Sequence, residues 1–135
     1  MNQEKSYRSI FSLNKIAVVG MSANANRPSH QIGFYLKKQG YNIYPVNPNY
    51  DKINELKCFS NLNEIRDSID IINIFRHPDH VLPIVNDAIK INPKVIWFQD
   101  GVVNYEAIDL VNKNGIQTII DDCIYRKHKV FISKA

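Results

Sequence analysis

Cysteine is scarce in this sequence. Cys58 and Cys123 are the only two, far apart and outside any Cys-x-x-Cys pairing, so neither a disulfide framework nor a structural zinc site is indicated. Long apolar runs are missing as well. No stretch approaches membrane-spanning length, and the N-terminal Met1 to Tyr7 is polar and charged, without the apolar centre of a secretory signal. A soluble, cytoplasmic protein with reduced thiols is expected. The excess of one charge sign is small, 17 basic against 13 acidic residues. Its sources are scattered (Lys37, Lys38, Lys52, Lys57, Arg66, Lys90, Lys94) apart from a cluster at Arg126, Lys127, His128 and Lys129. Such a balance suits a phosphate-bearing small molecule as well as it suits nucleic acid. Three chemical signatures are also absent: G-x-x-x-x-G-K-[ST], G-x-S-x-G and H-E-x-x-H. Phosphoryl transfer on a P-loop, serine hydrolysis on a nucleophile elbow and zinc peptidase chemistry therefore lack their residues.

What is present is alternation. The chain has 135 residues, 44% of them hydrophobic, about the size of one domain that buries roughly two thirds of its unfolded surface. Five short apolar or β-branched runs read as buried strands: Lys15 to Val19, Asn42 to Val46, Asp70 to Phe75, Val95 to Phe98 and Gln117 to Ile120. Helical spacing fills the intervals, with Ile32, Tyr35, Leu36 and Gln39 before Gly40, with Val81, Ile84, Val85 and Ala88 before Asn92-Pro93, and with Ala107, Leu110 and Val111 before Gly115. The crossover from Pro48 to Ser68 is irregular, with a turn at Pro48-Asn49-Tyr50-Asp51 and a short helix at about Leu62 to Arg66. A further short helix is expected over Ser6 to Leu13. Strand–helix alternation with short links predicts an α/β domain, a Rossmann-like doubly wound parallel sheet of about five strands in the order 3-2-1-4-5 with helices on both faces. Neither an internal repeat nor a low-complexity segment interrupts it, so residues 1–135 are expected to form a single domain with its core over about 15–128.

In such sheets ligands bind where the carboxyl ends of the strands meet at the switch point. Every predicted strand end changes abruptly to polar residues, glycine or proline: Gly20-Met21-Ser22, Asn47-Pro48, Phe75-Arg76-His77-Pro78, Gln99-Asp100-Gly101-Val102 and Asp121-Asp122-Cys123. Gly20 follows the first strand where the chain turns sharply and a phosphate can approach a backbone without a Cβ. Ser22 stands where a dinucleotide fingerprint has its second glycine, and Pro28-Ser29 open a helix whose N–H groups, with Ser22, Ser29 and Arg27, suit a pyrophosphate. A plain strand-to-helix turn fits the same local pattern. The second strand ends in Asn47-Pro48, not in the Asp or Glu that holds ribose hydroxyls in NAD-binding domains. A neutral residue there, with Arg27 and Lys52 nearby in sequence, suits a nucleotide phosphorylated on its ribose, such as coenzyme A or NADP. Arg76 is a candidate phosphate clamp and His77 a weaker candidate base. Cys123 and His128 lack a third partner of matching spacing, so Cys123 reads as a small buried hydrophobe and no metal ligand is assigned.

Val18-Val19-Gly20-Met21-Ser22 with Arg27-Pro28-Ser29, then Gly40-Tyr41 and Tyr44-Pro45-Val46-Asn47-Pro48, resemble the stand-alone CoA-binding domain proteins of bacteria and archaea. Asp70 to Arg76, Trp97-Phe98-Gln99 with Gly101-Val102-Val103-Asn104, and Asp122-Cys123 with His128 continue the likeness in the same order. That family looks like the nucleotide-binding domain of the succinyl-CoA synthetase α subunit reduced to one domain. The resemblance implies binding of coenzyme A or an acyl-CoA; with no nucleophile–base–orienter group visible in the sequence, the expectation is a binding module without catalysis of its own. Gly20, Ser22 and the Arg27-Pro28-Ser29 segment would hold the diphosphate, with Met21 in the same cofactor-binding loop, and Asn47 and Pro48 would flank the adenosine, while Phe75, Arg76, Gln99, Gly101 and Val102 would line the pantetheine arm. Asp100 and Asp122 depart from the pattern, since relatives more often carry an apolar residue and an arginine there. The expected partner is a small-molecule nucleotide cofactor, with no nucleic acid and no membrane. A homo-oligomer, a larger enzyme partner and an NAD(P)-binding oxidoreductase stay open as alternatives.

Overall fold

The computed structural model describes residues 3–134. In chain order the elements are α1 (Gln3–Phe11), β1 (Lys15–Val19), α2 (Pro28–Lys38), β2 (Asn42–Val46), β3 (Lys52–Ile53), β4 (Leu56–Lys57), β5 (Ile71–Ile74), α3 (Val81–Lys90), β6 (Val95–Phe98), α4 (Tyr105–Lys113), β7 (Gln117–Ile119) and α5 (Ile124–Ser133). Five strands form one sheet in the order β2-β1-β5-β6-β7, all pairings parallel, and β3 and β4 form a separate antiparallel hairpin. The strands β5 and β6 are buried along their whole length, as expected for central parallel strands covered on both faces.

Alternation along the strands divides the core in two. Ala17, Val19, Ile72, Ile74, Ile96 and Phe98 face α3 and α4, where Val81, Val85, Ala88, Ala107 and Val111 complete one layer. Ile16, Val18, Ile71, Val95 and Trp97 face the other way, against Ile10 and Phe11 of α1, Ile32 and Leu36 of α2, and Ile124 of α5. The sheet is thus wound on both faces, which is the Rossmann-like α/β architecture.

The strand order corrects the sequence expectation. The third long strand, β5, does not lie outside β2; it pairs with β1 on the opposite side, giving 2-1-3-4-5 among the long strands. Pro45 supplies a physical reason. Its carbonyl points to the outer side of β2 and accepts from Phe59 N–H at 2.9 Å, so its missing N–H also faces that outer side, where a full ladder has no donor to use. Beyond β2, among the described residues, the sheet continues only as the single bridge Val46–Phe59. An entirely apolar flank such as Ile71-Ile72 is instead taken into the middle.

Two more elements differ. The short helix expected near Leu62 to Arg66 is one 3-10 turn, Leu62–Glu64, and Glu64 turns back to bind Ser60 through its N–H and hydroxyl at 2.9 and 2.7 Å. The basic cluster at Arg126 to Lys129 lies on a ten-residue helix, α5, that the sequence reading did not assign. Its inward side carries Ile124 and His128, both buried; a narrow stripe that includes a histidine gives a weak helical signal. No helix among the described residues is long and apolar enough to cross a membrane.

Candidate functional site

The strand order puts the switch point between β1 and β5, and a cleft opens there. Its volume is about 730 Å³, and Gly20, Ser22, Asn47, Phe75, Arg76, Gln99, Gly101 and Cys123 are among the residues that line it. These come from the carboxyl ends of all five strands, so the cleft crosses four strand intervals, roughly 19 Å at about 4.8 Å each. Arg27, Pro28, Ser29 and Val102 line it too. Of the thirteen residues singled out in the sequence, two fall elsewhere. Met21 is fully buried beneath α2, its thioether packed at the bare Cα of Gly33. Pro48 borders two neighbouring depressions on the β2 side.

The β1–α2 loop is fixed by its own hydrogen bonds. Ser22 N–H donates to Ser29 Oγ at 3.0 Å, Asn24 N–H donates to Ser22 Oγ at 3.0 Å, and His30 Nδ1–H donates to Ser22 O at 2.8 Å. Both serine oxygens therefore act as acceptors toward the protein, which leaves each hydroxyl hydrogen available to the cleft. The helix behind them begins with Pro28, which has no N–H to satisfy, and no acid occupies the first turn. Its N-terminal dipole end is consequently unopposed, a setting that favours an anion. Gly20 has φ of +88°, and a Cβ there would run into Phe75 O. Close packing of the loop on the end of β5 thus demands the glycine, independently of any ligand.

Asn47 is engaged more fully than its position at a strand end suggests. Its Nδ2 donates to Met21 O at 3.0 Å, and its Oδ1 accepts from Asn49 N–H at 3.0 Å. An aspartate has no hydrogen to give Met21, so a neutral amide is required here by the backbone. Lys52, expected to assist nearby, lies in β3 opposite Lys57 and does not line the cleft. Asn49 and Tyr50, not singled out from sequence, do; the fold of the β2–β3 turn brings them there.

On the other side, His77 Nδ1 accepts from Asp79 N–H at 3.1 Å and caps a short turn, which occupies the nitrogen a base would use. Gln99 is only 4% exposed although it lines the cleft. Its Oε1 accepts from Ile124 N–H at 2.9 Å and from Asn73 Nδ2 at 3.0 Å. Asn73 is fully buried, and its own Oδ1 has no partner among the described residues. Gln99 to Val102 form a turn closed by Val102 N–H to Gln99 O at 2.9 Å, with φ of +75° at Gly101, the third-position geometry that favours glycine. Asp100, which in an anion site would be repulsive, is held by Arg126 through both carboxylate oxygens, and Arg126 also holds Asp122. These hydrogen bonds with Asp100 and Asp122 raise the Arg126 pKa still further, keeping its charge in place.

Cys123 and His128 separate in the fold. Cys123 is buried and lines the cleft. His128 is buried among Phe11, Tyr41 and Phe131, with Nδ1 at 2.7 Å from the Tyr35 hydroxyl.

A family model described as CoA binding domain matches residues 14–129, a span that includes every residue of the cleft named above. The chain belongs to the CoA-binding domain family. A family member-like relative, the uncharacterized protein YneT of Bacillus subtilis (strain 168), is 37% identical over 116 residues, 86% of each chain. The ADP-forming acetate–CoA ligase II of Archaeoglobus fulgidus is 40% identical over 80 residues, which are 58% of this chain and 12% of that enzyme. Among solved structures, a hypothetical protein from Pyrococcus horikoshii OT3 matches with a TM-score of 0.94 at 32% identity, covering 97% of this chain and 93% of that one. The family's CoA-binding domain is thus shared with a much longer acyl-CoA ligase, and the fold matches that of a small solved protein over nearly its whole length.

Proposed function

We propose that residues 1–135 act as one coenzyme-binding domain that holds coenzyme A or an acyl-CoA in the cleft at the strand ends, without catalysis of its own. The observation that carries this reading is the cleft's reach across all five strand ends, roughly 19 Å, with cations toward one part and a buried amide toward another. A mononucleotide needs only part of that length. The diphosphate would lie at the β1–α2 loop, where Ser22 and Ser29 have hydroxyl hydrogens to donate, the α2 N-terminus is free of acids, and Arg27 and Arg76 reach the same cleft. The adenosine would lie toward Asn47 and Pro48. The pantetheine arm would run past Phe75, Gln99, Gly101 and Val102, and the pairing of Asp100 with Arg126 removes the repulsion that a lone carboxylate would present. No nucleophile with an oriented base faces the cleft among the described residues; His77 lines it, but its Nδ1 accepts from Asp79 N–H in its own cap.

Calorimetric titration with coenzyme A, acetyl-CoA, NAD, NADP and ATP tests the reading. Saturable binding of coenzyme A or acetyl-CoA in preference to the others is expected; tight binding of another nucleotide and none of coenzyme A would sink it. A second reading, a subunit that works with a larger acyl-CoA enzyme, is favoured by the likeness to one segment of an acetate–CoA ligase. Size-exclusion with light scattering on the protein purified from its native cell distinguishes it, since a lone monomer with no co-purifying chain counts against it.

A further inference from the structure

Gln99 has an orientation that cannot be reversed. The donor at 2.9 Å from its Oε1 is a backbone N–H, that of Ile124, and turning the amide over would set two donors against each other. Asn73 Nδ2 approaches the same oxygen at 3.0 Å, so both inward contacts demand an acceptor. The Nε2 group then has no hydrogen-bond partner among the described residues, yet the side chain is 96% buried in effect, with 4% exposure, and it borders the cleft. Asn73, fully buried, spends its Nδ2 on this contact, and its own Oδ1 has no partner among the described residues; a polar side chain in the middle of the sheet is thus turned toward Gln99, where an aliphatic residue would pack without a hydrogen bond to place.

Resting on the coenzyme A reading, we infer that Gln99 is a specificity-determining donor: its Nε2–H reads a carbonyl oxygen on the pantetheine or acyl arm of the ligand, and Asn73 and Ile124 N–H are the positioning groups that keep the donor facing outward. Cys123, next to Ile124 in the chain and lining the same cleft, marks this as the end remote from Asn47. The carbonyl is either a pantetheine amide or the thioester of an acyl-CoA; both are neutral acceptors of the same shape. A ligand offering a donor at this point would meet Nε2 head on and be excluded.

The experiment uses the full chain and two substitutions. Gln99→Glu keeps an acceptor for Ile124 and Asn73 and replaces the outward donor by an acceptor; Gln99→Met removes the donor without adding charge but also the acceptor those two groups use, so the bisphosphate titration serves as its control for a disturbed site. Each is titrated at pH 8 with coenzyme A, acetyl-CoA and adenosine 3′,5′-bisphosphate, which lacks the arm. About a tenfold loss for coenzyme A and acetyl-CoA in both variants, with the bisphosphate changed less than about twofold, supports the inference and assigns a pantetheine amide. The same loss for acetyl-CoA alone supports it and assigns the thioester. Equal losses for all three ligands would make Gln99 merely structural, and a full-affinity Gln99→Met variant would reduce the effect of Gln99→Glu to charge; either overturns the inference alone. Failure of the unsubstituted protein to bind coenzyme A would overturn the functional reading and this inference with it.

Discussion

Arg126 on α5 grips Asp100, at the end of β6, through two guanidinium nitrogens at 2.9 and 3.1 Å, and reaches Asp122 at 2.9 Å with one of them. This fork joins the β6 turn to the last helix and neutralises Asp100, the one carboxylate that lines the cleft among the described residues. Arg126→Ala is expected to weaken coenzyme A binding several-fold, through the Asp100 charge it unmasks, with the penalty shrinking as salt rises. Folding stability should change little, because Arg126 and Asp100 are both more than half exposed and the less exposed Asp122 keeps its pairing with Lys127. Titrations at low and high ionic strength, beside urea unfolding, check both halves.

Arg76 lines the cleft beside Gly20, exposed and able to turn its planar fork toward a phosphate. Arg76→Ala should cost about 1 to 3 kcal/mol of coenzyme A affinity and flatten its salt dependence. An unchanged affinity in calorimetry would place this guanidinium outside the binding contacts.

Asn47→Asp removes the hydrogen that Asn47 Nδ2 gives Met21 O and sets a carboxylate oxygen against that carbonyl. A loss of about 1 to 3 kcal/mol in stability is expected, visible as a lower urea midpoint with unchanged slope. Binding should weaken as well, because the β1–α2 loop loses its tie to β2.

The two crowded glycines should respond differently. At Gly20 a methyl meets the Phe75 carbonyl at a φ of +88°, backbone that cannot yield, so Gly20→Ala should destabilise by about 3 kcal/mol. At Gly33 the methyl meets Met21 Cε and Sδ, a flexible side chain, and the gain in helix propensity offsets part of the overpacking, so about 1 kcal/mol is expected for Gly33→Ala. Urea unfolding of the two variants measures the difference.

Burial lowers the pKa of His128 in the folded protein. The unfolded imidazole, near 6.5, then takes its proton first as pH falls, so the unfolded state binds more protons and gains relative to the fold. The stability contributed by neutral His128, bonded to the Tyr35 hydroxyl, is complete above about pH 6.5 and declines below it. Unfolding measured from pH 7.5 downward should show this slope, and His128→Gln should flatten it.

The alternation of apolar strands and amphipathic helices was readable from the chain because each buried element carries its period locally: Ile16 and Val18 against Ala17 and Val19, or Val81, Val85 and Ala88 one and two turns apart. That Gly20, Arg27 and Gln99 line one cleft was legible for a related reason, since strand ends in a parallel sheet must converge on one edge. Order among the strands was not local. It depended on which side of β2 lacks a donor, and Pro45 reveals that only once its carbonyl direction is known. The roles within the cleft were tertiary in the same sense. Whether Asp100 repels an anion, whether Asn47 is free, and which end of Gln99 faces outward are decided by Arg126, Met21 O and Ile124 N–H, partners that lie from 26 residues away, for Asp100 and Asn47, to 25 for Gln99. Sequence set the period of burial and the chemistry available at each strand end; distant hydrogen-bond partners, met only in the fold, set the direction in which that chemistry points.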